Sequence, residues 1–341
     1  MKNKVLVTGG LGYIGSHTVV ELQQNDYDVV ILDNLSNSKI EVLDAIAKIT
    51  GTKPDFELID LCDESLLSGF FESGGAKAIG AVIHFAAFKN VGESVQDPQK
   101  YYRNNLLSLL NLLNCMRANE VRDLVFSSSC SVYGNPDKVP VTETTPLQEA
   151  ASPYGNTKKI SEDIIRDFAR SKEISAIALR YFNPIGAHPS AEIGELPSEH
   201  SDNIMPALTK NATGQLKELN IYGGDYNTSD GTCVRDYIEI TDLAKAHLKA
   251  LKRLGNSNNM GTYEVYNLGT GLGVSVLEIV NSFERVSGAK LNYKIVDRRE
   301  GDVEIVYADP SLANKELGWS AENNLDTMIA TALAWQKKTN E

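Results

Sequence analysis

"KVLVTGGLGYIGSH" occupies residues 4–17. A short β-branched run meets a cluster of glycines. The glycines open onto "YIGSHTVVELQQN", whose apolar pattern predicts a helix. Gly10, Gly12 and Gly15 stand in G-x-G-x-x-G order, and from Gly9 the stretch also reads G-x-x-G-x-x-G. Glycine permits the tight turn and lets backbone amides approach a pyrophosphate at the helix N-terminus. The motif is weak alone and gains its weight from context: a strand before, a helix after, and an acid at the end of the next strand. That acid is Asp33, which closes "DVVILD" eighteen residues past Gly15. A carboxylate there accepts hydrogen bonds from a ribose diol and repels a 2′-phosphate. Asn34 follows it with no arginine beside it, so NAD is expected in preference to NADP.

Further strands extend the pattern. "DFELIDL", "AVIHFAA", "DLVFSSS" and "SAIALRYFN" read as strands three to six. Helical patterns lie between them, including a stripe of Leu106, Leu109, Leu110, Leu113 and Met116 and a helix over 154–170. Strands separated by helices predict an α/β fold: a Rossmann-like, doubly wound parallel sheet with helices on both faces. This domain is expected over residues 1–183. Residues 184–232 are rich in Gly, Pro, Asn and Ser, with a helical piece near 203–214. They open a smaller α/β substrate lobe expected over 184–341. "VRDYIEITDLAKAHLKALKRL" resumes the strand-then-helix rhythm, and 233–254 is expected to return to the first domain.

Composition narrows the function. The 341 residues carry a formal net charge of -12, which disfavours nucleic acid or acidic membrane as partners. Cys62, Cys115, Cys130 and Cys233 form no C-x-x-C pair, so neither a metal site nor a disulfide framework is indicated. Reduced thiols in a cytoplasm are the expectation. The opening residues are too short on apolar character for a signal-peptide core, and no apolar run is long enough to span a membrane.

The chemistry centres on "SPYGNTKK", residues 152–159. Pro153 suits the first turn of a helix, which places Tyr154 and Lys158 on one face at i and i+4. Such a pair is ordinarily an exposed face. Here it follows a dinucleotide turn and the serine run Ser127, Ser128 and Ser129, which leaves a strand end facing the ligand crevice. A tyrosine of pKa about 10 needs a shift of about three units, or about 4 kcal/mol, to act as a base near neutrality. A nearby ammonium and an oxidised nicotinamide favour the phenolate, and a serine hydroxyl relays or orients the proton.

Together the glycine pattern, "SSS" before "VYG" and Y-x-x-x-K resemble the extended short-chain dehydrogenase/reductase family. Within it, strings along nearly the whole chain resemble the UDP-galactose (UDP-glucose) 4-epimerases. They include "GGLGYIGSH", "DNLSNS", "VIHFAAFKNVGES", "YYRNN", "LRYFNPIGAHPS", "DGTCVRDYI", "YNLGTG" and "RREGD". The resemblance implies Tyr154 as base, Lys158 on the nicotinamide ribose and lowering the tyrosine pKa, and Ser129 bridging sugar hydroxyl and tyrosine. For NAD it implies the turn of Gly9, Gly12 and Gly15 with Tyr13 and Ile14 beside the pyrophosphate. Asp33, Asn34, Asn37 and Ser38 would hold the adenosine end, with Asp60 and Leu61 against adenine. Phe85, Ala86, Ala87 and Lys89 would line the cofactor, completed by Asn104 and Phe182. For a UDP-sugar it implies Asn183 and Asn203 near sugar and diphosphate, Ile221 and Tyr222 as the uracil wall, and Arg235 and Arg299 on the diphosphate. Lys89 also faces the sugar, and Asp302 follows Arg299 at the corresponding turn.

The implied reaction is interconversion of UDP-galactose and UDP-glucose through a 4-keto sugar, by an isomerase that is a homodimer. Val306 matches a position that gates room for an N-acetyl group. Its intermediate bulk leaves UDP-GlcNAc and UDP-GalNAc open as additional substrates. A 4,6-dehydratase on the same scaffold would carry an Asp-Glu pair after the serine, where this chain has Cys130 and Ser131. A non-catalytic NAD-binding sensor would have no use for Ser129, Tyr154 and Lys158 together.

Overall fold

The computed structural model describes residues 4–73, 78–196, 203–256, 260–299 and 301–339 of the 341. Fourteen strands and eleven α-helices are described. The first half runs β1 (Lys4–Thr8), α1 (Tyr13–Gln24), β2 (Asp28–Asp33), α2 (Val42–Thr50), β3 (Asp55–Leu58), α3 (Glu64–Glu72) and β4 (Ile79–His84). It continues with α4 (Val91–Gln96), α5 (Pro98–Ala118), β5 (Asp123–Ser129), α6 (Pro153–Arg170) and β6 (Ser175–Tyr181). The second half holds β7 (Asn183–Ile185), α7 (Ile204–Ala212), β8 (Leu219–Tyr222), β9 (Val234–Arg235), β10 (Tyr237–Glu239), α8 (Ile240–Asn256) and β11 (Tyr263–Leu268). It ends with β12 (Val274–Ser275), α9 (Val276–Ser287), β13 (Tyr293–Val296), β14 (Ile305–Val306), α10 (Ser311–Leu317) and α11 (Leu325–Thr339).

Seven parallel strands form the main sheet in the order β11-β6-β5-β4-β1-β2-β3. Successive strands β1 to β3 wind one way and β4 to β6 the other, so the order reverses between β1 and β4. A crevice for a ligand forms at that point, outside the carboxyl ends of the strands. Both faces of the sheet are covered, which explains the near-continuous apolar runs. Val5, Val7, Val29 and Ile31 face one core, with Val19 and Leu22 of α1, Ile46 of α2 and Leu251 of α8. Leu6, Val30 and Leu32 face the other, with Leu67 of α3, Leu112 of α5 and Ile165 of α6.

Two parts of the second half belong to this sheet. Helix α8 shares the first core with α1, and β11 pairs with β6 as the outer strand. Sequence patterning did not place β11 there: "YEVYNL" is short, and nothing in it names its neighbour. The remaining elements gather around a third core of Ile185, Leu208, Ile221, Phe283 and Ile329. A fourth cluster joins the two parts, with Val132, Tyr133 and Phe182 packed on Val306 and Ala308.

Candidate active site

Ser129 ends β5, and its Oγ accepts from the Ser131 N–H at 3.2 Å and the Ser131 hydroxyl at 3.0 Å. With both lone pairs engaged, the Ser129 hydroxyl lies near enough to Tyr154 to favour its phenolate. Tyr154 stands in the first turn of α6. Ser152 caps that helix by accepting from Gly155 N at 3.1 Å, and Pro153 fills the first helical position. Gly155 allows the close approach to the serine turn, because a Cβ there would lie 3.0 Å from Ser131 O.

Burial outweighs the serine and pushes the Tyr154 phenol up to about 12. Lys158, one helical turn on, is 4 % exposed. Its Nζ donates to Ser127 O at 2.6 Å and stands 4.9 Å from the centre of the Phe126 ring. Burial pulls its pKa down to about 7, against the carboxylate of Glu162, which raises it. In this arrangement the Lys158 ammonium is turned to the β5 carbonyl.

The residues at the crevice fit a dinucleotide. Gly9 has φ +68°, and a Cβ on it would sit 2.8 Å from Ala86 N; a Cβ on Gly15 would sit 2.2 Å from Gly9 O. The turn therefore nests against Phe85 and Ala86 at the end of β4 as only glycine allows, with Ala87 next in sequence. Gly12 caps α1 without a side chain, which leaves the N-terminal amides unspent on one. Tyr13 crosses the cleft to donate to Gly186 O at 2.7 Å, while Ile14 packs on the core. Asp33 accepts from Leu11 N at 3.1 Å, Leu35 N at 2.9 Å and the Ser38 hydroxyl at 2.8 Å, which aims its carboxylate at the turn. Asn34 donates to Asp60 at 3.3 Å and so joins the ends of β2 and β3, with Asn37 exposed beside them. Leu61 is buried, with its carbonyl taken by Asn111 at 2.9 Å. Asn104 donates to Asn105 at 3.0 Å.

A cavity of about 750 Å³ brings the two halves together. Lys89, Asn183, Asn203, Ile221, Tyr222, Arg235, Arg299, Asp302 and Val306 line it, and so do Cys130, Ser131 and Ser152, the sequence neighbours of Ser129 and Tyr154. The side-chain oxygen of Asn183 is buried with no hydrogen-bond partner, an acceptor waiting for a hydroxyl. Asp302 holds both arginines: Arg299 grips it at 2.8 and 3.2 Å, and Arg235 stands at 3.6 Å. The Arg299 guanidinium also lies 5.5 Å from the centre of the Tyr222 ring, which is exposed, whereas Ile221 beneath is buried. Val306 is buried against Phe182 and Tyr133.

Two residues that sequence reasoning passed over organise this site. Glu195 accepts from Asn203 at 2.6 Å and from Lys89 at 3.2 Å, tying together residues from both sides of the cleft. No spacing in the sequence signals it. Asn105 receives Phe88 N at 2.9 Å and donates to Phe88 O and Thr157 at 3.0 and 3.1 Å, so it pins the loop after β4 to α6. Its position in "YYRNN", beside Asn104, was the available signal. No cluster of metal-binding side chains occurs among the described residues.

A family model described as GDP-mannose 4,6 dehydratase matches residues 6–332. The chain is similar to the UDP-glucose 4-epimerase of Dictyostelium discoideum, with 50 % identity across 98 % of this chain and 96 % of that protein. It is 49 % identical to the Bacillus subtilis UDP-glucose 4-epimerase, across 97 % of this chain and 96 % of that one. The structure is similar to that of the Bifidobacterium longum UDP-glucose 4-epimerase in complex with NAD+ and UDP. The TM-score is 0.94 with 45 % identity, covering 99 % of each chain.

Proposed function

Because the chain belongs to the extended short-chain dehydrogenase/reductases, and within them to the UDP-glucose 4-epimerase family, we propose that it interconverts UDP-galactose and UDP-glucose with NAD as cofactor. It is an isomerase. The observation that carries the reading is the junction of Ser129, Tyr154 and Lys158 at the end of β5 with a cavity that holds Arg235, Arg299 and an unpaired Asn183 oxygen. Guanidinium forks suit diphosphate oxygens and solve the problem of an anionic substrate on an acidic protein.

NAD, held by the Gly9–Gly15 turn and Asp33, would supply a reversible hydride acceptor and a positive charge. Tyr154 takes the proton of the sugar 4-hydroxyl as that carbon is oxidised, with Ser129 donating to the phenolate. Arg235 and Arg299 would keep the UDP anchored while the 4-keto sugar turns over to present its other face. Tyr154 then gives the proton back, and nothing is oxidised in net. Binding energy belongs on the nucleotide, because a tightly held sugar could not turn. The substrate residues lie largely on the C-terminal lobe and the NAD residues on 1–183, with α8 and β11 completing the sheet.

The dehydratase reading lacks its acid pair, since Cys130 and Ser131 follow Ser129. A homodimer is proposed as well, supported by the exposure of Leu110 on the apolar stripe of α5, whose Leu109, Leu113 and Met116 are buried. A cytoplasmic location is in keeping with free cysteines and with the lack, among the described residues, of a helix long and apolar enough to cross a membrane.

The test is turnover of UDP-galactose. Wild type forms UDP-glucose with no net accumulation of NADH, and Tyr154→Phe loses on the order of 100-fold or more in kcat. An equally active Tyr154→Phe would remove the proposed base.

A further inference from the structure

One buried carboxylate ties the helix that carries Tyr154 and Lys158 to the sheet beside Ser129. Glu162 lies on α6, one turn beyond Lys158 and two beyond Tyr154, and is 1 % exposed. Its Oε1 accepts the Ser128 hydroxyl at 2.5 Å and Arg180 Nε at 2.9 Å, and its Oε2 accepts Arg180 Nη2 at 2.6 Å. Ser128 sits between Ser127, whose carbonyl holds Lys158, and Ser129, whose hydroxyl favours the Tyr154 phenolate. Arg180, 5 % exposed on β6, completes a bidentate fork and gives Nη1 to the Tyr133 hydroxyl at 3.0 Å. Tyr133 in turn donates to Asn267 of β11 at 2.7 Å.

A bidentate guanidinium–carboxylate pair is stiff, and a buried one is costly unless its geometry is fully satisfied. Packing α6 needs no charge here, because Ile165 and Ala169 already seat the helix on its core. The pair instead fixes the register of α6 against β5 and β6 at the level of the catalytic groups. It also places a negative charge on the helix face that Lys158 shares.

We propose that Glu162 is the positioning residue of this site: it sets the register of Tyr154 and Lys158 against Ser129, and it is the carboxylate that keeps Lys158 an ammonium during turnover. The groups around Lys158 leave this task to Glu162. His84 of β4 is held neutral by burial, at a pKa of about 3. Burial raises Tyr101 of α5, Tyr133, Tyr181 of β6 and Tyr263 of β11, so none of these phenols is an anion near neutrality. Arg180 is a cation, engaged by Glu162 itself.

The inference rests on the proposed epimerase reaction, and the experiment separates the two. Wild type, Glu162→Gln and the charge-free pair Glu162→Gln/Arg180→Gln are assayed as full-length protein on UDP-galactose from pH 6 to 10, with melting curves to establish folding. Loss of the carboxylate lowers the lysine pKa, so the alkaline limb of kcat moves to lower pH by about one unit in Glu162→Gln. The double variant, without a stranded guanidinium, moves the same way by less, and it serves as the test where Glu162→Gln does not fold. KM for the UDP-sugar stays within about threefold, because the nucleotide anchor is untouched. A folded variant with the wild-type alkaline limb, whatever its kcat, would reduce Glu162 to a packing role and overturn the proposal. An inactive wild type would instead count against the reaction.

Discussion

The Nζ of Lys158 donates to the carbonyl oxygen of Ser127 at 2.6 Å, so strand β5 orients the lysine that follows Tyr154 by one helical turn. The phenol of Tyr154 is favoured as phenolate from the same strand end, by the Ser129 hydroxyl. The end of strand β5, Ser127 to Ser129, thus adjoins both members of a pair that helix spacing only places on one face. Chemistry at the site depends on strand and helix keeping their register.

Arg299→Ala should raise KM for UDP-galactose by about tenfold or more and reduce kcat less, because a diphosphate contact is made equally before and during the reaction. Asp302→Asn should raise KM by a smaller factor, since it loosens both Arg299 and Arg235 without removing either. Steady-state kinetics separate the two parameters. A pure kcat loss in Arg299→Ala would place this arginine at the reacting sugar.

Val306 is 6 % exposed where it packs on Phe182 and Tyr133 at the cavity wall. Val306→Tyr adds a ring at that wall. Turnover of UDP-GalNAc should fall by at least about tenfold more than turnover of UDP-galactose, as a closed pocket rejects the added acyl group while a hydroxyl still fits. Equal losses on the two substrates in a competition assay would move the gate elsewhere.

Asp33→Asn keeps the shape of the β2 end and removes its charge. Retention of NAD through gel filtration should weaken, with Kd rising about tenfold, the value of one charge-assisted hydrogen bond. Discrimination against NADP should narrow at the same time. Titration of the stripped protein with each nucleotide reads both effects, and unchanged discrimination would remove Asp33 from the ribose.

Acid should destabilise the protein through its buried histidines. Burial holds His17 and His84 down at about 3 and His247 at about 4. An unfolded chain takes up those protons near pH 6.5, and the folded chain does not until far lower. The unfolded state therefore binds more protons between about pH 6.5 and 4, and stability is lost as pH falls through that window. Melting temperature followed from pH 8 to 4.5 should drop steeply below 6.5, and His247→Gln should flatten the slope. A flat profile would mean that these rings are already protonated in the fold.

Much of this architecture was legible because it is local. The turn at Gly9 to Gly15 declares itself through residues in contact with their near neighbours, and Asp33 follows at the end of the next strand. Ser152 and Pro153 announce the start of α6, and with it the pairing of Tyr154 and Lys158. Other features had no local signal. β11 joins β6 across more than eighty residues of chain, so its place depends on which sheet edge remains open after α8 has packed. Glu195 reaches Lys89 from a turn whose sequence carries no motif.

Sequence by itself determined the glycine turn, the alternation that buries both faces of the sheet, and the placing of Tyr154 and Lys158 on one helix face after the serine run, since each depends on spacing within one or two elements. Only the tertiary structure decided where the charges point. It turned Lys158 to the Ser127 carbonyl, placed Arg235 and Arg299 on one aspartate, and stranded the Asn183 oxygen in the cavity wall. The reason is physical: a pKa and an ion pair depend on burial and on neighbours distant in the chain, and those exist only once the sheet and the second lobe have closed on each other.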